Sequence, residues 1–310
     1  MTPAIVLSRA TRLAACLLGA AVPAAHAAAP APAAAEYLVR FDRAAAPGAV
    51  RDVGGRVTRD LHLIHALGAR LTAAQARALE GAPGVVAVTP DTPVTPSAAE
   101  APALSTATLG TAFNQSVGVD KLWAGAPAWT GKGVTVAVVD TGIAGGSPDF
   151  RTSSSDGSSR VVASAVVNPD ATTASDGYGH GTHVAGLIAG NGFARVAGDA
   201  LAGRYAGAAP DAGLVSIKVS DDHGAAGVLD VIAGVQFAVD KRRDYGIRVV
   251  NLSLASSTAG SATTDPLNAA VEQAWLKGLV VVAAAGNRGT AADAVSYAPA
   301  NDPYAITVGA

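Results

Sequence analysis

Two histidines three residues apart, His180 and His183, open the run GHGTHVAGLIAG, and chemistry is the first question they raise. A zinc pair on a helix needs ligands four apart around a glutamate, with a third ligand elsewhere, and this stretch offers neither. A general base needs only to reach a cleft and find a partner that fixes its tautomer. Gly179 and Gly181 flank His180 and free the backbone to present it at a helix start, which makes His180 the candidate base. His183 lies one turn further in, among Val184, Ala185 and Leu187, and reads as a hydrogen-bonded core histidine.

Two more polar residues stand where apolar runs end. Asp140 closes VTVAVVD; a carboxylate at such a place can orient a histidine, but it can equally bind ribose, a metal or a phosphoryl group. Asn287 follows Gly286 in VVAAAGNRG, where an amide is either a turn former or a neutral donor aimed at developing negative charge.

The elements around these residues are near-continuous β-branched runs: GVTVAVVD, RVVASAVV, AGLVSIKVS, IRVVNLSLA and GLVVVAAAGN. Helical segments alternate with them, among them HVAGLIAGN, VLDVIAGVQFAVDKRRDYG and DPLNAAVEQAWLKG. Continuous apolar strands alternating with helices predict an α/β fold, a parallel sheet covered on both faces. In such sheets, sites collect at the carboxyl ends of the strands.

Upstream, the pattern differs. EYLVRF (36–41), PGAVRDVGG (47–55), RVTRDLHLI (56–64), HALGARLT (65–72), TAAQARALEGAPG (72–84) and VVAVTPD (85–91) predict strand, helix, strand, strand, helix and strand. This is the order of a small α+β, ferredoxin-like domain over 36–96. Its seven Lys and Arg balance seven Asp and Glu between residues 36 and 100, so charge does not indicate its partner. Four prolines in TPDTPVTPSAAEAPALSTATLG then predict an extended linker, with a processing site within 97–112. The N-terminus has Arg9 and Arg12, an apolar segment and the triplet Ala25-His26-Ala27, the pattern of a secretory signal peptide over 1–27. LAAC (13–16) has the look of a lipoprotein box, but the apolar segment follows Cys16 instead of preceding it.

The expected location is therefore secreted, extracellular or periplasmic. Cys16 is the only cysteine, and it leaves with the signal, so no disulfide can hold the mature chain. No other apolar run is long enough to span a bilayer, so no membrane association is expected after signal removal. With a net charge of -2 and basic residues interleaved with acids, nucleic acid is not an expected partner.

The blocks VAVVDTGI, GHGTHVAG, GAAPDAGLVSIKV, VVNLSLAS and VVAAAGNRG, in this order, resemble the subtilisin family of serine peptidases over residues 113–310, and residues 36–96 resemble its inhibitor-type propeptide. The resemblance implies a secreted serine endopeptidase made as a pre-pro-protein, a zymogen that cleaves polypeptides through an Asp-His-Ser triad. Asp140 would orient His180, His180 would act as general base and then acid, and Asn287 would donate to the oxyanion. Ser253, Leu254 and Ala255 would pair with extended substrate, and Ala284, Ala285 and Gly286 would form the other wall of the pocket. Ala255 stands where the family usually has glycine, which would narrow that pocket. HGAAG (223–227) would supply the second flanking edge. The propeptide would act as an intramolecular inhibitor. No cofactor is required, and structural calcium is a family property for which only NPDATTASDG (168–177) suggests a place.

The family's serine lies in a Gly-Thr-Ser-Met-Ala block, which does not occur in these 310 residues. The peptidase domain is therefore expected to be incomplete, this chain alone inactive, and the strand face of Val280 to Val282 uncovered. The alternatives are a non-catalytic peptide-binding pseudoprotease, a propeptide carrier, or an unrelated α/β binding protein using Asp140 and Asn287 as ligand contacts.

Overall fold

Alternation in the first strand, β1 (Ala35–Phe41), sets Val39 and Phe41 against a small core of their own. The computed structural model describes residues 33–96, 112–153, 156–192, 205–289 and 291–309; the expected leader and residues 97–111 of the linker lie outside them. After β1 come α1 (Pro47–Asp52), β2 (Arg56–Leu61), β3 (Ala66–Leu71), α2 (Ala73–Glu80) and β4 (Val85–Pro90). The four strands form an antiparallel sheet in the order β2-β3-β1-β4. Val50 of α1 and Ala76 and Leu79 of α2 close its apolar face. Thr72 and Gln75 cap α2 reciprocally, each side chain bonding the other's backbone N–H.

One expected strand is shorter than its alternation suggested. β2 stops at Leu61, and His62–Ile64 form a 3-10 turn closed by His65 at φ 54. The turn buries Leu63 and Ile64 together, which a strand would send to opposite faces. Both join the larger core of the molecule, as do Leu38 and Leu61.

The chain then runs through β5 (Pro93–Pro96), α3 (Ala112–Ser116), α4 (Val119–Trp123), β6 (Thr135–Asp140), β7 (Val161–Val166), α5 (His180–Ala189), β8 (Gly213–Lys218), β9 (Ala226–Gly227) and α6 (Val228–Lys241). It continues through β10 (Ile247–Leu252), β11 (Leu254–Ser256), α7 (Pro266–Leu276), β12 (Val280–Ala284) and β13 (Ile306–Val308). Six of these strands form one parallel sheet in the order β13-β12-β10-β6-β8-β7. Every residue of the central strand β6 is buried, because both faces are covered. Val136 and Val138 meet Ala185 and Ala189 of α5 on one side. Ala137 and Val139 join Ile232 and Val235 of α6 on the other. Each fully buried valine or isoleucine side chain contributes roughly 1.5–3 kcal/mol relative to exposure.

β12 corrects the expectation that Val280 to Val282 lie uncovered as a set. Val281 is fully buried in the core it shares with α7, whereas Val280 is exposed and Val282 half-buried. Side chains alternate along a strand, so exposure reaches one face only.

Candidate active site

Asp140 ends β6 at the carboxyl edge of the sheet, and His180 is the first residue of α5, which packs on that sheet. Gly179 has φ 96, a left-handed turn that glycine makes without strain and that swings the chain into the helix. His180 Nδ1 lies 2.7 Å from Asp140 Oδ1, with the side chains 8% and 2% exposed. The same carboxylate oxygen accepts the Thr141 N–H at 2.7 Å. Gly181 lets helix and loop close: a Cβ there would sit 2.2 Å from the Gly142 carbonyl oxygen and 3.1 Å from Asp140 Cβ.

The His180 pKa is raised, first by the hydrogen bond to Asp140, with burial pulling the other way and the charges of Asp140 and Asp176 adding to the rise. A histidine shifted upward on folding stabilises the fold fully below its ordinary pKa of 6.5, and loses that contribution as pH rises through its folded value. The stability gap between the native chain and His180→Gln should therefore be widest at mildly acid pH and narrow toward alkaline pH. Urea unfolding at stepped pH measures it, and a gap that widens with pH would contradict this assignment.

His183 departs from its expected place. It is exposed, because α5 buries Gly181, Ala185 and Ala189, and two helical positions rotate His183 by about 200° from that stripe. It lines an open cleft with Phe113, Leu187 and Tyr205 instead.

Asp176 went unrecognised as a site residue, although it lies only four residues before His180. Its carboxylate receives the Thr141 hydroxyl at 2.8 Å, the Gly179 N–H at 2.7 Å, the Thr182 N–H at 2.7 Å and the Thr182 hydroxyl at 2.6 Å. Burial works against its charge, but these hydrogen bonds prevail and hold its pKa below the usual carboxylate range. Asp176 stands three residues before the N-cap Gly179, outside the position where a capping side chain is read from sequence, and its bond to Thr141, 35 residues upstream, carries no spacing signal either. Nearby, the fully buried ammonium of Lys218 bonds Asp222 and the Ser175 carbonyl, while Asp222 also accepts from Thr172. Asp222 is thereby held well below an ordinary aspartate pKa, the Lys218 hydrogen bond being the main cause. Within 168–177, the Asp176 carboxylate and the Ser175 carbonyl already serve protein donors.

β11 covers Leu254–Ser256, and Ser253 immediately precedes it, its hydroxyl accepting from the Asn251 amide at 2.9 Å. β11 pairs antiparallel with β5, Leu254 opposite Pro96, Ala255 opposite Thr95 and Ser256 opposite Val94. β5 pairs on its other edge with β9, within the segment expected as the second flanking edge. Leu254 is buried next to Val94 and Asp140 and shapes the floor of the groove. Beside the paired strands opens a cleft of about 260 Å³, lined by Thr95, Ala255, Ala285, Gly286, Asn287 and Arg288 among others. Ala284 is half-buried at the end of β12, paired with Val308, and does not line it. Arg288 is held against one wall, its guanidinium 3.7 Å from the centre of the Tyr297 ring and donating to the Ser257 carbonyl at 3.2 Å.

A buried carboxylate–imidazole pair thus lies at the carboxyl edge of the parallel sheet, near β11 and the extended segment it pairs with, an arrangement able to hold an imidazole as a general base. The sequence profile of the subtilase family (peptidase S8) matches residues 131–310, and the chain belongs to that family. It is 37% identical over 187 residues to serine protease AprX of Bacillus subtilis (strain 168), covering 58% of this chain and 39% of that protein. It is 31% identical to subtilisin E of the same strain over 271 residues, 84% of this chain and 60% of that one. Fervidolysin from Fervidobacterium pennivorans, a keratinolytic enzyme related to subtilisin, shares the fold at TM-score 0.59 and 24% identity, over 89% of this chain and 43% of that one. The chain thus spans less than two thirds of the length of each of these proteins. No helix among the described residues is long and apolar enough to cross a membrane.

Proposed function

We propose that this chain carries the leader, the inhibitory propeptide and the Asp–His part of the catalytic domain of a secreted serine endopeptidase. The observation that carries the reading is the 2.7 Å contact between His180 Nδ1 and Asp140 Oδ1, at the end of a groove where β11 and β9 grip an extended segment. With Nδ1–H directed at Asp140, the lone pair of His180 is on Nε2, ready to take a proton from a serine hydroxyl as that oxygen attacks a peptide carbonyl. The Asn287 side-chain amide would donate to the oxyanion, His180 would return the proton to the leaving amine, and water would release the acyl-enzyme. Substrate would add as a strand beside β11, where β5 now lies, and residues 36–96 would act as the inhibitor until cut within 97–112.

The serine and its N–H would come from sequence beyond Ala310, so the 310-residue chain is proposed to be inactive by itself. A fluorophosphonate probe, which labels an activated serine, tests this. The complete gene product should label at a Gly-Thr-Ser block and lose labelling in His180→Ala, and the 310-residue chain should not label. Labelling of the 310-residue chain, or no labelling of the complete product, would overturn the assignment; peptide binding without labelling would favour the pseudoprotease reading.

Asn287→Ala in the complete protein is expected to lower kcat by about 10² to 10³ with KM little changed; the magnitude is that of subtilisin's own asparagine. Steady-state kinetics on a peptide amide would measure it, and a change confined to KM would remove Asn287 from the oxyanion role.

A further inference from the structure

We infer that Asp176 is a positioning residue for His180: its carboxylate ties the loop that carries Asp140 to the helix that carries His180, and so sets the contact between them. This deepens the proposed function and rests on His180 being the base.

The geometry is a closed frame. One oxygen of Asp176 takes the Thr141 hydroxyl and the Gly179 N–H, and the other takes the N–H and the hydroxyl of Thr182. Both threonines pass the connection on. Thr141 Oγ1 accepts the Gly181 N–H at 2.9 Å, and Thr182 Oγ1 accepts the Ala144 N–H at 2.9 Å. Loop 141–144 and helix residues 179–182 are thus cross-linked through a single carboxylate whose two oxygens each accept two bonds. Asp140 and His180, one residue away from these links on either side, have little freedom to separate.

The frame is itself anchored. Lys218 stands opposite Asp140 in the register of β6 and β8, and its buried ammonium bonds the carbonyl of Ser175, the residue just before Asp176. Asp222 neutralises that ammonium and takes the N–H and hydroxyl of Thr172, four residues before Asp176. The segment leading to Asp176 is therefore pinned to the same sheet that carries Asp140.

Capping alone would not demand this arrangement. An asparagine oxygen could still take the Thr182 N–H at the helix start, so an Asp176 needed only there would tolerate Asp176→Asn. A positioning Asp176 would not: an amide nitrogen cannot accept two donors, and one side of the frame must open. The negative charge of Asp176 also favours the protonated imidazole, together with that of Asp140.

The test is proton NMR of the 310-residue chain, following the His180 ring titration and its hydrogen-bonded Nδ1–H resonance, assigned by its loss in His180→Ala. In the folded chain, Asp176→Asn should lower the His180 pKa and broaden or abolish the Nδ1–H resonance. If Asp176→Asn does not fold, Thr141→Val, which removes one hydroxyl from the carboxylate and the acceptor of Gly181 N–H, should weaken the same resonance. A folded variant with unaltered titration and resonance overturns the positioning role. Asp140→Asn serves as the reference: if it too leaves His180 unmoved, the Asp–His assignment fails, whereas movement in Asp140→Asn alone sinks only the role of Asp176.

Discussion

Replacing His180 by alanine in the complete protease is expected to reduce kcat by roughly a millionfold while leaving KM within a few-fold, the size of loss known for the same exchange in subtilisin. The physical reason lies in the proton. Serine is a weak nucleophile as the neutral alcohol, and its attack requires the proton to leave as the carbon–oxygen bond forms. In the proposed mechanism His180 would be held for that task by its hydrogen bond of 2.7 Å to a carboxylate that is itself only 2% exposed. Removing the imidazole removes both the base for attack and the acid for the leaving amine. Groove and oxyanion donor remain, so substrate should still bind and a small residual rate should persist. Asp140→Asn should cost less, about 10⁴, because the imidazole stays but its tautomer is no longer enforced. Steady-state kinetics on one peptide substrate would rank the two; an Asp140→Asn loss as large as that of His180→Ala would mean that Asp140 does more than orient.

How much of this was legible in the sequence depends on whether a residue's role is local. The α/β core could be read because β6 and β8 are buried almost throughout and β10 and β12 are β-branched runs, all four alternating with helical segments. His180 stood out for a similar reason: glycines on both sides and an apolar helix behind it. His183 differs from its expectation because its apolar neighbours at 184, 185 and 187 suggest burial, whereas the inner stripe of α5 is the small-residue set Gly181, Ala185 and Ala189, from which His183 is rotated away. The 3-10 turn at His62–Ile64 was hidden for another reason. The strand pattern continued through it, and only the need of Leu63 and Ile64 to reach a distant core breaks the alternation. The frame around Asp176 and the Lys218–Asp222 pair depend on contacts between segments up to 50 residues apart, which no spacing rule carries.

Val94→Asp is expected to pull β5 out of the groove. Val94 is 3% exposed, belongs to the main core and lies between Ser256 on β11 and Ala226 on β9. It also shares the lining of a narrow crevice with Asp140 and Leu254, so the new carboxylate would be buried without a cationic partner and near an existing negative charge. An unpaired buried charge costs about 3–5 kcal/mol, or roughly two to four orders of magnitude in the occupancy of the groove. Two other groups of contacts would keep the module attached: the Asp91 carboxylate on the Leu229 N–H, and the Leu63 N–H on Gln236. The strand should therefore detach while residues 34–90 remain docked. In the 310-residue chain this would appear as rapid proteolytic cleavage near residues 91–96 with little change elsewhere. In the complete protease, activity should emerge sooner and the module should inhibit about 100-fold more weakly when added separately. Val94→Ala, which loses contacts but buries no charge, should fall between the two. If Val94→Asp inhibited as well as the native module, the strand pairing of β5 with β11 would not be the inhibitory contact, and the larger interface formed by Leu63, Ile64 and Asp91 against α6 and α7 would have to supply it.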